Sequence, residues 1–335
     1  MGEAKRRRNM SHILVGVDDG YARVKVFGKD GSRDIKVSVA ASVNAGTMLS
    51  SIDGSTTESG GVFETDGLRF TACEELGGEE TRFDGYHTSP LNRVAVHNAL
   101  HTAGLGGREV KLVVGLPVRD FFLDGAPNKA LIAAKKESMT RSVERVGSAG
   151  VTISQVQVMP QAIAAWVDWG STESGGNRQG YRGEIGVIDI GGRTTDVAVV
   201  IGGRRLDHAR TGSSNLGVLD VLETIGDALR SKFGIAEEIP RAVTEAALRT
   251  QKAVLFRREH DVSEIVWKAK RQVADQLSRA IRKYVGSAAL LDAVVFVGGG
   301  AQVFAEVVKE FDGGVVAAEP EFSNARGMWR MAANG

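Results

Sequence analysis

Gly186–Val200 reads GVIDIGGRTTDVAVV, and the fold turns on how this stretch is read. The run Gly186-Val187-Ile188 leads to Asp189. One residue later come Gly191 and Gly192, then Thr194, Thr195 and Asp196, and Val197–Ile201 is apolar again. Two short β-rich runs around a Gly-rich turn predict a hairpin. Glycine lets backbone approach a ligand, and successive turn amides form a concavity that suits phosphate oxygens. A carboxylate ending the first strand suits a hydrated divalent cation beside those oxygens. An ordinary tight hairpin with solvated Asp and Thr has the same local sequence, so the rest of the chain must decide.

The pattern occurs twice. Gly16–Phe27 reads GVDDGYARVKVF: an apolar entry, Asp18, Gly20 two residues on, and an alternating exit through Val24 and Val26. Asp18-x-Gly20 matches Asp189-x-Gly191 at a separation of 171 residues, about half the chain. A chain of two like halves, each opening with a phosphate-loop hairpin, accounts for this. A third element, Val294–Phe304, reads VVFVGGGAQVF: a buried-type strand, then Gly298-Gly299-Gly300, then a helical run. Such a turn lets a nucleoside or phosphate lie against bare backbone at a helix start. It is neither a Walker A loop nor the dinucleotide G-x-G-x-x-G fingerprint.

Composition narrows the class. The 335 residues suggest about two domains, and 42% apolar with 25% charged residues is the balance of a soluble globular protein. Lys plus Arg (42) and Asp plus Glu (41) nearly cancel, which removes any bulk electrostatic case for nucleic-acid binding. The single cysteine, Cys73, cannot form an internal disulfide and fits a reducing compartment. The start MGEAKRRRNMSH is basic without an apolar segment behind it, so residues 1–11 are expected to be a disordered tail. No run approaches the ~18 apolar residues of a membrane span. A cytoplasmic protein without membrane contact is the expectation.

Along the chain, strands are predicted at Ile13–Val17, Val24–Phe27, Ile35–Val39, Val110–Val114, Val151–Val158 and Val294–Val297. Val62–Thr65 and Leu68–Phe70 flank Asp66-Gly67, a two-residue hairpin signal. Residues 44–67 otherwise read as loops with short strands. Helices are predicted at Asn92–Ala103, Asn128–Val146, Ala162–Trp169, Leu216–Phe233, Arg241–Lys252 and Ser263–Val285. The last carries a stripe of Ile265, Ala269, Val273, Leu277, Ile281 and Tyr284. His97 and His101 stand four apart, a chelating spacing, but no third ligand accompanies them and a structural role is expected. Trp166 and Trp169 are read as core contacts. Residues 170–183, GSTESGGNRQGYRG, read as the linker between halves.

Hairpin, hairpin and GGG turn in this order resemble the actin, sugar kinase and heat-shock chaperone ATPase superfamily, and within it the ParM/StbA plasmid-segregation actins. Val94–Leu100, Val114–Pro117, Val156–Gln161, Ser213–Val218 and Asn324–Arg330 are similar to ParM landmarks in ParM order, and the likeness runs over residues 12 to 332. The resemblance implies an α/β actin-like fold of two domains, each a mixed five-stranded sheet flanked by helices. ATP, with GTP as the alternative, and Mg2+ would lie in the cleft between them. The implied division is 12–175 with 320–335 returning to it, and 176–319. By motif matching, Asp18, Asp19, Gly20, Tyr21 and Lys25 form the first phosphate loop, with Lys25 as a point charge on the phosphates. Gly191, Gly192, Arg193 and Thr194 form the second, and Asp189, with Asp18, would hold the magnesium. Gly298, Gly299 and Gly300, with Ser214 and Gly217, would border the nucleoside. Catalysis would fall to Gln161 and Asp189, mostly by positioning and charge neutralisation.

Three positions depart from the family pattern. Gln161 stands where ParM-like proteins commonly carry Glu, and a neutral amide orients water but is a poor base, so slow hydrolysis is expected. Tyr21 replaces a small residue in the first loop and is expected to alter the terminal-phosphate contact. Arg193 replaces a small residue in the second; neutralising phosphate charge and pointing to solvent are the two readings, with solvent the expectation. The implied function is a filament-forming ATPase that segregates plasmid DNA through a DNA-bound, ParR-like adaptor, with the filament of its own copies polar or helical. No direct nucleic-acid contact is expected. A small-molecule kinase of the same superfamily and a hydrolysis-deficient scaffold are the alternatives.

Overall fold

The computed structural model describes residues 12–47, 60–74, 77–171, 183–203 and 205–334. The expected tail at 1–11 and most of the expected linker fall outside them. Two mixed sheets carry the fold. The first is built from β1 (Ile13–Asp19), β2 (Arg23–Asp30), β3 (Arg33–Ala40), β4 (Glu109–Leu116) and β5 (Thr152–Pro160). Its order is β5-β4-β1-β2-β3, with β1, β4 and β5 mutually parallel and β2 and β3 antiparallel. The second contains β6 (Glu184–Ile190) and β7 (Thr195–Ile201) as an antiparallel hairpin.

The same construction is repeated there. Strand β6 pairs in parallel with a strand at Ala293–Val297, which pairs in parallel with another at Gly314–Val316. The antiparallel position outside β7 is shared by two short strands, Arg205–Leu206 and Gly212–Ser214. The second sheet therefore has six strands in five positions among the described residues, where a plain five-stranded sheet was expected. Central strands in both sheets read as nearly unbroken apolar runs because both faces are covered.

Helices α1 (Pro90–Thr102), α2 (Lys129–Thr140), α3 (Gln161–Gly170), α4 (Val218–Phe233), α5 (Arg241–Thr250), α6 (Ser263–Val285) and α7 (Ser323–Ala333) flank the sheets. Ser89 caps α1 by accepting from the Asn92 amide, and Pro90 supplies its first turn. The predicted helix at Asn128–Val146 ends at Thr140 instead. Beyond it Glu144–Arg145 pairs antiparallel with Glu64-Phe63, so tertiary strand pairing overrides local helical preference. Helix α6 matches its predicted bounds and buries Ala269, Val273, Leu277 and Ile281. Val266 is buried where Ile265 was expected, and Ile265 and Tyr284 are half-buried. Between α5 and α6 lies a hairpin of β8 (Lys252–Leu255) and β9 (Arg258–Asp261).

The Asp66-Gly67 hairpin forms as predicted. Two large cores result, one around β1, β2, β4 and α1, the other around β6, β7, α4 and α6. Helix α7, near the end of the chain, returns to pack on β1 and α3. Trp166 and Trp169 pack half-buried on a smaller cluster with Ala162 and Val187. His97 is buried in α1 with its ring pushed to a pKa of about 3 by burial and then by Arg93, and no cluster of metal-binding side chains exists among the described residues. No described helix is long and apolar enough to cross a membrane.

Candidate active site between the two sheets

Both hairpins end at one narrow cavity. Antiparallel register sets Asp18 opposite Lys25 across β1 and β2, and Asp189 opposite Asp196 across β6 and β7. Asp18, Gly20, Lys25, Gln161, Asp189, Gly192, Thr194, Gly298 and Asn324 line this cavity. Lys25 Nζ donates to Asp18 Oδ2 at 3.0 Å, and Gln161 Nε2, at the start of α3, donates to Asp18 Oδ1 at 3.1 Å. Asn324 Nδ2 donates to Asp189 Oδ2 at 2.7 Å. The anchoring hydrogen bonds come from three separate parts of the chain.

Carboxylates at this cavity repel one another although Lys25 is paired to Asp18. Burial, and then the charge of Asp18, raise the Asp189 carboxyl to about 6. Burial, and then Asp189, raise Asp196 to about 7, although the Ser213 hydroxyl donates to it. A divalent ion beside the two carboxylates Asp18 and Asp189 would relieve that repulsion, so the donor set fits hydrated magnesium. Gly298 has φ +81°, and a Cβ there would collide with Asp189 Oδ1 and the Ile190 carbonyl, so this turn requires glycine. A Cβ on Gly192 would stand 2.5 Å from the Ala22 Cβ, so the two loops nearly touch.

Behind the loops opens a second cavity of about 610 Å³, which shares Ala22, Lys25, Gly191 and Gly192 with the first. Gly299 and Gly300 form one wall, and Leu248, Arg241, Glu245 and Lys270 from α5 and α6 another. Its size is that of a small-ligand pocket. A charged throat joined to a larger chamber with apolar and polar walls suits a phosphorylated nucleoside.

Not every expected residue faces this space. Asp19 is fully buried behind the first loop, paired with Lys135 of α2 and 3.3 Å from His87 Nδ1. Burial would raise its carboxyl, but the Lys135 charge and the His87 contacts hold it down at about 2. Asp19 thus fastens the loop from beneath and does not line the cavity. Lys135 also donates to the His87 carbonyl and Asn92 Oδ1, both at 2.7 Å. Ser214 pairs with Thr195 at the sheet edge, and Gly217 starts α4; neither lies on a cavity wall. The first amides of α4, those of Val218 and Leu219, donate to the Gly191 and Gly192 carbonyls, so the helix start supports the loop.

Arg193 corrects the expectation of a solvent-directed side chain. It reaches across to the other lobe, over the Tyr21 ring at 5.0 Å, and donates to the Phe83 carbonyl at 3.3 Å. Tyr21 is buried against Tyr86 with Leu219 and Leu222 of α4, and burial pushes its hydroxyl up to about 12. Together they bridge the two lobes beside the throat. Sequence reasoning assigned no role to Asn324, Asp196, Arg241, Glu245 or Lys270. Two left a signal: Asn324 as the first residue of the Asn324–Arg330 landmark, and Asp196 as the last polar residue of the Asp189–Asp196 turn.

Two family models match the sequence. One, described as plasmid segregation protein ParM, N-terminal, covers residues 13–170. The other, archaeal actin homologue MreB-like, C-terminal, covers residues 187–310. No curated protein matches the sequence. Among solved structures, an archaeal actin homologue gives a TM-score of 0.76 at 20% identity, covering 96% of this chain and 100% of that one. The same homologue in complex with ADP gives 0.74 at 20% identity, with 96% and 100% covered. ParM in a 15-stranded filament from Clostridium botulinum gives 0.77 at 18% identity, with 97% and 100% covered. The sheets and helices above are those of an actin-like fold.

Proposed function

We propose that this chain, which has an actin-like fold and matches the ParM N-terminal family model over residues 13–170, is a nucleotide-driven, filament-forming ATPase of plasmid segregation. One observation carries the reading: two matched Gly-lined hairpins place Asp18, Lys25 and Asp189 at the throat of a nucleoside-sized chamber. A triphosphate enters with its phosphates against Gly20, Gly191, Gly192 and Thr194, and its nucleoside beside Gly299 and Gly300. Lys25 neutralises phosphate charge, and Gln161 orients the attacking water from the Asp18 side. Asp189, with Asp18, would hold a magnesium ion, which would supply charge neutralisation to the phosphoryl group. ATP is the expected nucleotide, with GTP as the alternative.

The lobes that close on the nucleotide are residues 12–175 with 320–335, and 176–319. The return of α7 onto β1 supports that division. Near-zero net charge supports a motor that reaches DNA through an adaptor and not by direct contact. The cytoplasm is the compartment that supplies both nucleotide and plasmid. Assembly is tested by pelleting and light scattering with magnesium and ATP, GTP or a hydrolysis-resistant analogue. Nucleotide-dependent scattering is expected. Scattering that rises with none of them removes the reading.

A further inference from the structure

His87 is a buried imidazole to which neither fold nor hydrolysis has yet given a task. It sits on a 3-10 turn, Tyr86–Thr88, just ahead of α1, and is 5% exposed. The turn is pinned to α2. Lys135 Nζ donates to the His87 carbonyl at 2.7 Å, and the Ser138 hydroxyl donates to the Thr88 carbonyl at 2.9 Å. The Tyr21 and Tyr86 rings meet the imidazole edge to face, with centroids 4.8 and 5.5 Å away. Held in this way, the ring forms part of the wall of the throat cavity, together with Asp18, Gln161 and Asp189.

The two ring nitrogens have different surroundings. Nδ1 lies 3.3 Å from Asp19 Oδ2, behind the first loop. The Asp19 carboxyl stands at about 2 and is paired with Lys135, so it is ionised and can only accept. Nδ1 therefore carries the proton and donates it. The neutral ring keeps a lone pair on Nε2, and this buried atom has no hydrogen-bond partner among the described residues. Buried polar atoms are paired as a rule, so one left over on a cavity wall points to an atom of something bound there. That atom must bring a proton. Nucleotide phosphate oxygens bring none, and magnesium prefers oxygen donors. A water molecule does. Gln161 spends its amide group on Asp18 and has its carbonyl left to hold such a water, but a carbonyl does not take the proton away.

We propose that His87 is the general base of nucleotide hydrolysis, its Nε2 taking a proton from the water that Gln161 orients. The water oxygen bonds to the terminal phosphorus as the bond from phosphorus to the bridging oxygen breaks. The electron pair of that bond leaves with the nucleoside diphosphate. The proton on Nε2 then passes to the released phosphate, which restores the neutral ring. Asp19 fixes the tautomer and offsets the positive charge while the imidazolium lasts, and Lys135 keeps Asp19 in place. The inference rests on the hydrolysis reading above and names the residue that removes the proton.

Single-turnover hydrolysis of ATP and GTP by the full chain, with magnesium, tests it in His87→Gln and His87→Ala. Each is expected to be about a hundredfold slower than the parent or more, the usual loss of a general base. Glutamine can still accept from water but cannot carry the proton. Affinity for a hydrolysis-resistant analogue, and pelleting driven by that analogue, should stay at the parent values. A second readout needs no turnover. Nitrogen NMR of the six histidines in nucleotide-free parent should show one neutral ring protonated at Nδ1, and its signal should vanish in His87→Gln. If alanine prevents folding, the glutamine variant and the tautomer of the parent still decide. Parent-like hydrolysis in a folded variant overturns the proposal and leaves the ATPase reading standing. So does a His87 ring protonated at Nε2, or a fall in rate matched by an equal fall in analogue affinity. A parent that releases no phosphate from either nucleotide removes both.

Discussion

Asp196 should be a measurable burden on the ligand-free fold, and Asp196→Asn should lift it. The carboxyl is completely buried opposite Asp189 and is raised from 3.8 to about 7, first by burial and then by the Asp189 charge. A carboxyl whose folded-state pKa is raised supports the fold fully below its unfolded value. That support is lost as pH climbs through the folded value. Between 3.8 and about 7 lie roughly three decades at ~1.4 kcal/mol each, so at pH 8 the ionised side chain costs about 4 kcal/mol. Asparagine keeps the shape and still accepts from the Ser213 hydroxyl. Asp196→Asn should therefore be more stable than the parent by about 4 kcal/mol at pH 8 and by less than about 1 kcal/mol at pH 4. Urea unfolding of nucleotide-free, chelator-treated protein at both pH values measures this. A variant that is no more stable at pH 8, or a gain equal at the two pH values, would refute the electrostatic argument.

Lys135→Met should destabilise the protein by about 3–5 kcal/mol, since it leaves Asp19 buried without its cation; a melting temperature within a degree of the parent would contradict this. Gln161→Ala should lower steady-state phosphate release about a hundredfold while a hydrolysis-resistant analogue binds as before. Unchanged release would take Gln161 out of the chemistry. Gly192→Ala should press on Ala22 and oppose approach of the two loops, weakening nucleotide binding by about 2 kcal/mol, or roughly thirtyfold. Equal affinity in a fluorescence titration would show that the loops need not touch.

The hairpins were legible because each strand is a run of β-branched residues that must be buried on both faces, with glycine at the turn. The long α6 was legible because its apolar stripe holds one period over 23 residues. What escaped reading lies in contacts between distant positions. Asp19 meets Lys135 and Asp189 meets Asn324 across more than a hundred residues, and no local pattern signals which side chain will arrive. Arg193 looked free to enter solvent because the Tyr21 ring that receives it belongs to the other half of the chain. The helix drawn to Val146 has helical composition, but strand pairing at Glu144–Arg145 ends it early. Glycine spacing told which loops line the cavity; the charge balance between Asp18, Asp189 and Asp196 required three dimensions.

Isothermal titration of the folded, nucleotide-free protein tests the central claim most directly. With magnesium present, ATP or GTP should bind at one site per chain, and Asp189→Ala or removal of magnesium should abolish or greatly weaken the binding. A well-folded protein that takes up no purine triphosphate in the presence of magnesium would contradict the account.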